Sequence, residues 1–424
     1  MYQVSNSTAL LRAHRRLLVR ERTGGAAVPR TVFLLGLTSL FTDISSEMVV
    51  TILPLYLVYV GGFTPLAFGV IDGIYNGAAA LVGLASGFVG DRFRRHKEVA
   101  TAGYGLSAVC KLLLATVGTA LSAIGATVLI DRIGKGIRTA PRDAMISLST
   151  PERQLGAAFG VHRALDTTGA MIGPLLAFGL LALAPLAFNS IFLVSFFIAL
   201  IGVGILVLLV QPKQARDASD APAQPAPSLR AAAALLALPR YRALLVAGGA
   251  LSLATASDAF VFLALQDKLD LGNSLFPLLF VGSATTYMVL AVPMGKLADR
   301  FGRGRVFLGG YALLIAVYAT LLSPMTGWVV LFLALGLLGC YYAATDGVLM
   351  ALGSSVVPDE VRGSGLALVG TVTNIARLLA SVAFGALWTL WGLHNAIACF
   401  AVALVAATAL AALLLARTRE PAHS

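Results

Sequence analysis

The chain has 424 residues, of which 58% are hydrophobic and only 12% charged, with a formal net charge of +11 and a mean hydropathy of +0.86. A soluble domain does not carry such a composition, so most of the chain belongs in lipid. The cations do not point to nucleic acid either, because they gather in connections on one side of the apolar runs.

The first 30 residues place Arg12, Arg15, Arg16, Arg20 and Arg22 among Leu pairs, the pattern of a basic amphipathic helix on an anionic inner leaflet. No short apolar core with a small-residue cleavage site precedes the first long run, so no signal peptide is expected. Apolar runs then follow near 31–58, 67–90, 98–118, 120–141, 155–182 and 187–210, and again near 242–265, 273–296, 305–323, 327–351, 363–389 and 393–416. At about 20 residues per crossing these predict twelve transmembrane helices. Between the two sets lies Ala221-Pro-Ala-Gln-Pro-Ala-Pro227, which cannot bury a core and reads as a linker. The predicted organisation is a basic N-terminal segment 1–30, a six-helix bundle 31–210, a linker 211–240, a second bundle 241–416 and a tail 417–424.

Six Arg precede the first span, Arg92, Arg94, Arg95 and Lys97 join spans 2 and 3, and Lys296, Arg300, Arg303 and Arg305 join spans 8 and 9. The opposite connections carry no cation except Lys268. By the positive-inside rule this predicts a multi-pass protein of the plasma (inner) membrane with both termini and the linker cytoplasmic. Cys110, Cys340 and Cys399 fall inside spans without metal-ligand spacing, so neither a disulfide nor a metal site is expected.

The segment Gly87-Phe-Val-Gly-Asp91-Arg92-Phe-Arg-Arg95 recurs 208 positions later as Gly295-Lys-Leu-Ala-Asp299-Arg300-Phe-Gly-Arg303. With twelve spans and a central linker, this duplicated signature resembles the major facilitator superfamily. The resemblance implies an all-α fold of two pseudo-twofold six-helix bundles that rock about a midplane site. Physically, Gly87 and Gly295 let a neighbouring helix approach, and Asp91 or Asp299 can accept hydrogen bonds from a helix N-terminus in the other half. The eight residues Gly87, Asp91, Arg92, Arg95, Gly295, Asp299, Arg300 and Arg303 are thus the predicted cytoplasmic gate. The plainer alternative is an Asp-Arg cluster that only fixes topology.

Charges within spans need a reason, since each costs about 2.5–3.5 kcal/mol at mid-helix. Asp43 and Glu47 stand at i, i+4 in span 1, on one face, where close like charges favour one of them holding a proton. A fixed pairing of either with Lys111 or Arg132 is the structural alternative. Span 4 carries Asp131 and Arg132. Arg132 with Gly136 four positions on resembles the family's helix-4 antiporter motif, with Lys135 where that motif has Gln. Span 5 pairs Arg163 with Asp166 at i, i+3, and its Gly169-x-x-x-Gly173-Pro174 allows close packing and a kink. That run resembles the helix-5 motif of proton-coupled exporters, with Ala177 and Phe178 at its later glycines. Asp43, Glu47, Asp131, Arg132, Arg163 and Asp166 are therefore the proton-coupling candidates, and Gly169, Gly173 and Pro174 the packing residues.

In the second half Asp258, Phe262, Gln266, Tyr341, Tyr342, Asp346 and Arg377 are the substrate-binding candidates, because spans 7 and 10 commonly contact substrate in the family. Aromatics beside carboxylates suit an organic cation or an amphipathic molecule, while ordinary helix packing is the alternative for the two Tyr. No Gly-x-x-x-x-Gly-Lys-Ser/Thr occurs, which argues against direct ATP drive. The expected function is proton-coupled efflux of a small organic molecule by a monomer in the bilayer, without cofactor or nucleic acid. A facilitator or importer of an anionic nutrient or chelate, using intramembrane Arg and Lys as ligands, is the rival. A membrane-embedded enzyme is the remaining class, for which no nucleophile motif or zinc-ligand spacing is present.

Overall fold

The computed structural model describes residues 29–78, 95–151, 154–211, 235–357 and 362–417. Among them the chain is helical with no strand, as a lipid-embedded backbone requires when it must satisfy its own hydrogen bonds. The helices are α1 (Arg30–Val60), α2 (65–78), α3 (His96–Thr116), α4 (Leu121–Ser149), α5 (Leu155–Leu183) and α6 (Phe188–Leu209). The second half holds α7 (Pro239–Leu269), α8 (Phe276–Phe301), α9 (Arg303–Leu322), α10 (Trp328–Val356), α11 (Arg362–Trp391) and α12 (Leu393–Arg417). At 1.5 Å per residue, the 31-residue α1 is about 46 Å long and must tilt or project from a hydrocarbon core of about 30 Å.

Ten of these helices are long and apolar enough to cross a membrane within the described residues. α4 is the informative exception. It runs on to Ser149 rather than stopping near 141, through Pro141, because Asp131, Arg132 and Arg138 are buried against neighbouring helices rather than ending the helix at water. α7 also departs from the expected single run. Its helix stops at Leu253, the chain unwinds over Thr255–Ser257, and a new helix starts at Asp258 with Ser257 as its N-cap. The Ala256 N–H freed by the break donates to Tyr318 Oη at 2.7 Å, so this donor is not stranded.

The twofold repeat is visible in the packing order. α1 packs on α5 and α6 and α3 on α4 and α6, and correspondingly α7 packs on α11 and α12 and α9 on α10 and α12. Gly169 brings α5 onto α1: a Cβ there would lie 2.5 Å from the Leu40 carbonyl oxygen. Gly173, one turn on, faces the Ile44 carbonyl at 2.7 Å.

An even number of spans puts Arg30 and Arg417 at the same face, here called the terminal face, with the far face opposite. At the far face the halves are tied. Leu66 N–H donates to Thr389 Oγ1 at 2.9 Å, Phe68 meets Phe260 at 4.9 Å, and Phe260 meets Phe384 at 4.6 Å. A Cβ on Gly69 would sit 2.4 Å from the Ser381 carbonyl oxygen, and one on Gly385 equally close to that of Pro65, so α2 and α11 touch backbone to backbone.

The hydrophobic core records the same asymmetry. One apolar cluster joins both halves at mid-depth and the far face, and within the second half alone it continues to Ala298, Phe307 and Ala411. Toward the terminal face two smaller clusters stand apart, one built from Val32, Leu35, Tyr104 and Ile146 of the first half, the other from Tyr241, Leu244 and Val369 of the second. Among the described residues the halves therefore diverge like a V that opens at the terminal face.

Candidate functional site

Where the V closes, a cavity of about 260 Å³ lies between the halves. α1 contributes Glu47, α2 contributes Asp72 and Tyr75, the unwound stretch of α7 contributes Thr255–Ser257 and Asp258, α10 contributes Tyr341 and Tyr342, and α11 contributes Arg377 and Ser381. The break in α7 is what brings backbone and Asp258 to this wall, the kind of interrupted helix that lines midplane sites.

Each polar group has a defined setting. Ser381 Oγ donates to Asp72 Oδ2 at 2.6 Å, joining the halves through a buried carboxyl. Tyr342 Oη donates to Asp258 Oδ1 at 2.5 Å, and Tyr341 and Tyr342 stand with ring centroids 4.8 Å apart. Glu47, half-buried, and Arg377, reached by solvent, have neither an ion pair nor a side-chain hydrogen bond among the described residues. The wall thus holds three carboxyls against one guanidinium.

Behind Tyr75 lies a second polar cluster inside the first half. Lys111 Nζ is 2.5 Å from Asp131 Oδ1, and Arg132 binds Asp131 Oδ2, with its guanidinium 4.1 Å above the Tyr75 ring. These residues border a space of only about 20 Å³ beside the main cavity. Neither Asp43 nor Glu47 pairs with Lys111 or Arg132 within salt-bridge distance: both cations are taken by Asp131 of α4, next in sequence to Arg132 and facing Lys111 of α3.

Asp43, one turn nearer the terminal face than Glu47, belongs to a third group. Arg138 Nη2 stands 3.9 Å from its Oδ1, and the Asp166 carboxyl of α5 faces it within hydrogen-bonding reach. Asp166 also lies 3.7 Å from Arg163, whose side chain is 77% exposed in the opening. Around them, His162 Nε2 and Ser39 Oγ are 3.0 Å apart, Ser39 reaches Tyr104 Oη at 3.2 Å, and Arg142 pairs with Asp143 at 2.8 Å. Ionisable groups therefore run in steps from the terminal face to the cavity, by way of Asp166, Asp43 and Glu47.

The remaining candidates fall elsewhere. Phe262 and Gln266 continue the Asp258 face, but each turn carries them about 5.4 Å toward the far face and out of the cavity. Phe262 packs on Phe280 at 4.5 Å, and Gln266 holds Asn273 Oδ1 at 2.9 Å, closing the α7–α8 connection. Asp346, one turn beyond Tyr342 in the other direction, is exposed. Of the duplicated signature, Gly87, Asp91 and Arg92 lie outside the described residues. Arg95 pairs with Glu98 at 3.6 Å, and Arg300 stands 5.4 Å over Phe301. Asp299 pairs with its own Arg303 at 3.2 Å and is 68% exposed, while Gly295 has open space around it. Asp299 of the second signature thus pairs within its own half.

Sequence reasoning did not single out Asp72, Tyr75 or Ser381. Asp72 had a usable signal, being a carboxylate in the middle of an apolar run and so a functional-site candidate by default. Gly69-x-x-x-Gly73-x-x-x-Gly77 around it marks a helix face made for close approach.

Comparison with known proteins accords with this architecture. A family model described as Major Facilitator Superfamily matches residues 35–285 and 244–424. The uncharacterized MFS-type transporter MJ1317 of Methanocaldococcus jannaschii is 32% identical over 385 residues, covering 88% of this chain and 92% of that protein. Among solved structures, the nucleoside transporter NupG is similar with a TM-score of 0.74 at 17% identity, over 92% of this chain and 100% of NupG. The peptide transporter POT gives a TM-score of 0.74 at 16% identity, over 92% of this chain and 94% of POT. At these identities the likeness to the solved structures speaks for the fold.

Proposed function

The chain belongs to the major facilitator superfamily and is a multi-pass membrane transporter, not an enzyme; we propose that it exports a small organic molecule in exchange for protons by alternating access. In this reading the bundles 31–210 and 241–416, joined by the linker 211–240, rock about the central cavity. The terminal face is cytoplasmic by its excess of cations, which makes the present state inward-open. When that face closes, the two signature segments, with Asp91, Arg92 and Arg95 and with Asp299, Arg300 and Arg303, engage the opposite half.

The observation that carries the proposal is Glu47: a carboxyl in the cavity wall with no direct ion pair or side-chain hydrogen bond among the described residues, one turn from Asp43 on the open side. Such a group can hold either a proton or a polar group of the cargo, and that competition is what exchange requires. Asp131 is not that group, since two cations hold it in place. One proton crossing 100 mV provides about 2.3 kcal/mol, enough for a tens-fold concentration ratio before any pH gradient is added.

The test is dye-reported collapse of a respiration-driven pH gradient in everted vesicles, screened with organic cations, zwitterions, anionic chelates and metal ions. A compound that collapses the gradient with wild type but not with Glu47→Gln supports proton exchange through Glu47. Uptake that proceeds without a gradient and without proton movement contradicts it and favours a facilitator, with Arg377 as an anion ligand.

A further inference from the structure

The cavity wall states its own requirement for a ligand. Most polar side chains around it are already engaged: Asp72 by Ser381, Asp258 by Tyr342, and Arg132 behind Tyr75 by Asp131. Two charged groups make no direct ion pair or side-chain hydrogen bond among the described residues: Glu47 on α1 of the first half, which feels Lys135 and Arg132 of α4 only through space, and Arg377 on α11 of the second, which feels Asp346 of α10 in the same way; both line the same cavity. An unmatched charge in a narrow, partly dehydrated space is costly. A simple cation would answer Glu47 and leave Arg377 facing a like charge. A simple anion would answer Arg377 but enter a wall with three carboxyls. A neutral ligand would displace water from both and replace it for neither.

We infer that the cargo is a small zwitterion, with its ammonium or other cationic group at Glu47 and its carboxylate or other anionic group at Arg377. This inference rests on the reading of the cavity as the transport site. The cavity volume of about 260 Å³ lies just under the range of roughly 300–1,000 Å³ that holds drug-sized ligands, so the molecule has the size of an amino acid or a dipeptide. The aromatic rings of Tyr75, Tyr341 and Tyr342 supply the apolar part of the wall and a face for the cationic end. Because the two charged partners belong to different halves, a zwitterion also bridges them. Bound, it favours an occluded state in which both are satisfied, which ties closure to occupancy by the right charge pattern.

The experiment is equilibrium binding to the purified full-length protein in lipid nanodiscs, with no gradient present. The probes are α-amino acids, ω-amino acids of increasing chain length and dipeptides, each compared with its methyl ester, which keeps only the cation, and its N-acetyl form, which keeps only the anion. The expected result is that at least one parent zwitterion binds saturably and about tenfold or more tighter than either blocked form. Arg377→Gln should then erase the advantage over the ester alone, and Glu47→Gln the advantage over the N-acetyl form alone. Arg377→Lys and Glu47→Asp should retain part of each, which separates charge recognition from misfolding. The inference is overturned if no zwitterion in the series binds, if a blocked form binds as tightly as its parent, or if the two neutral variants lose both preferences together. Binding with this charge pattern but without proton movement in the vesicle assay would leave the zwitterion site standing and remove the proton-exchange reading.

Discussion

Substitution of Gly69 by Ala should push the transporter out of the state described here. The Cβ introduced would lie 2.4 Å from the Ser381 carbonyl oxygen, a backbone atom of α11 that cannot swing aside as a side chain would. Restoring an ordinary contact near 3.4 Å requires α2 and α11 to separate by about 1 Å at the far face. Overpacking of this kind costs about 1–3 kcal/mol. The cost falls only on the state in which those helices touch, since a far-face-open state already parts them. With RT near 0.59 kcal/mol, the population ratio should move by about 5- to 160-fold toward the far-face-open form. The assay is pulsed electron spin resonance between labels on Leu186→Cys and Met325→Cys, two exposed positions in far-face connections of opposite halves, with the three native cysteines replaced. A longer distance population should grow in Gly69→Ala and stay unchanged in the control Gly179→Ala, whose added methyl meets nothing within 4 Å. Identical distance distributions in Gly69→Ala and wild type would refute the argument that backbone contact of α2 with α11 defines the closed far face.

The buried triad gives a second expectation: Asp131→Asn leaves Lys111 and Arg132 uncompensated and should lower stability by about 3–5 kcal/mol, whereas Lys111→Met leaves the Asp131–Arg132 pair intact and should cost clearly less. Thermal unfolding in detergent compares the two, and equal losses would speak against Asp131 as the shared partner. Phe260→Ala removes the ring between Phe68 and Phe384, so the far-face seal should weaken by about 3–5 kcal/mol, read as a lower melting temperature and as increased labelling of a cysteine at Thr255 from the far side. Tyr342→Phe deprives Asp258 of its hydroxyl donor and should change cargo affinity by about tenfold while the protein stays folded, a change that radiolabelled uptake would detect.

Much of this architecture was legible in the residues. The twelve spans follow from hydropathy because an apolar run in lipid has few options besides a helix, and the twofold repeat from the two Gly-x-x-x-Asp-Arg copies. What hydropathy misjudged were helices whose polar residues face protein. α4 continued past 141 because Arg138 and its neighbours turn inward, which a window average reads as the approach of water. The break in α7 had a local sign, Ser257-Asp258 being a good N-cap followed by an acidic first residue, but within an apolar run it is easily taken for mid-helix polarity. The site was half legible. Glu47, Asp258, Tyr341, Tyr342 and Arg377 stand out as polar groups in spans, yet which of them share a cavity depends on helix phase and depth. The same holds for partner choice: Asp131 lies beside Arg132 in sequence, but its bond to Lys111 spans two helices.

The most direct test of the account follows solute and protons together in proteoliposomes of the purified protein loaded with the cargo that the binding series identifies. An imposed pH gradient alone should drive that solute uphill, reversal of the gradient should reverse its direction, and Glu47→Gln, tested at solute concentrations raised to offset its about tenfold weaker binding, should leave the solute merely equilibrating. Uphill movement that persists in Glu47→Gln, or a wild type that never exceeds equilibrium under any gradient, would contradict the claim that this cavity exchanges its cargo for protons.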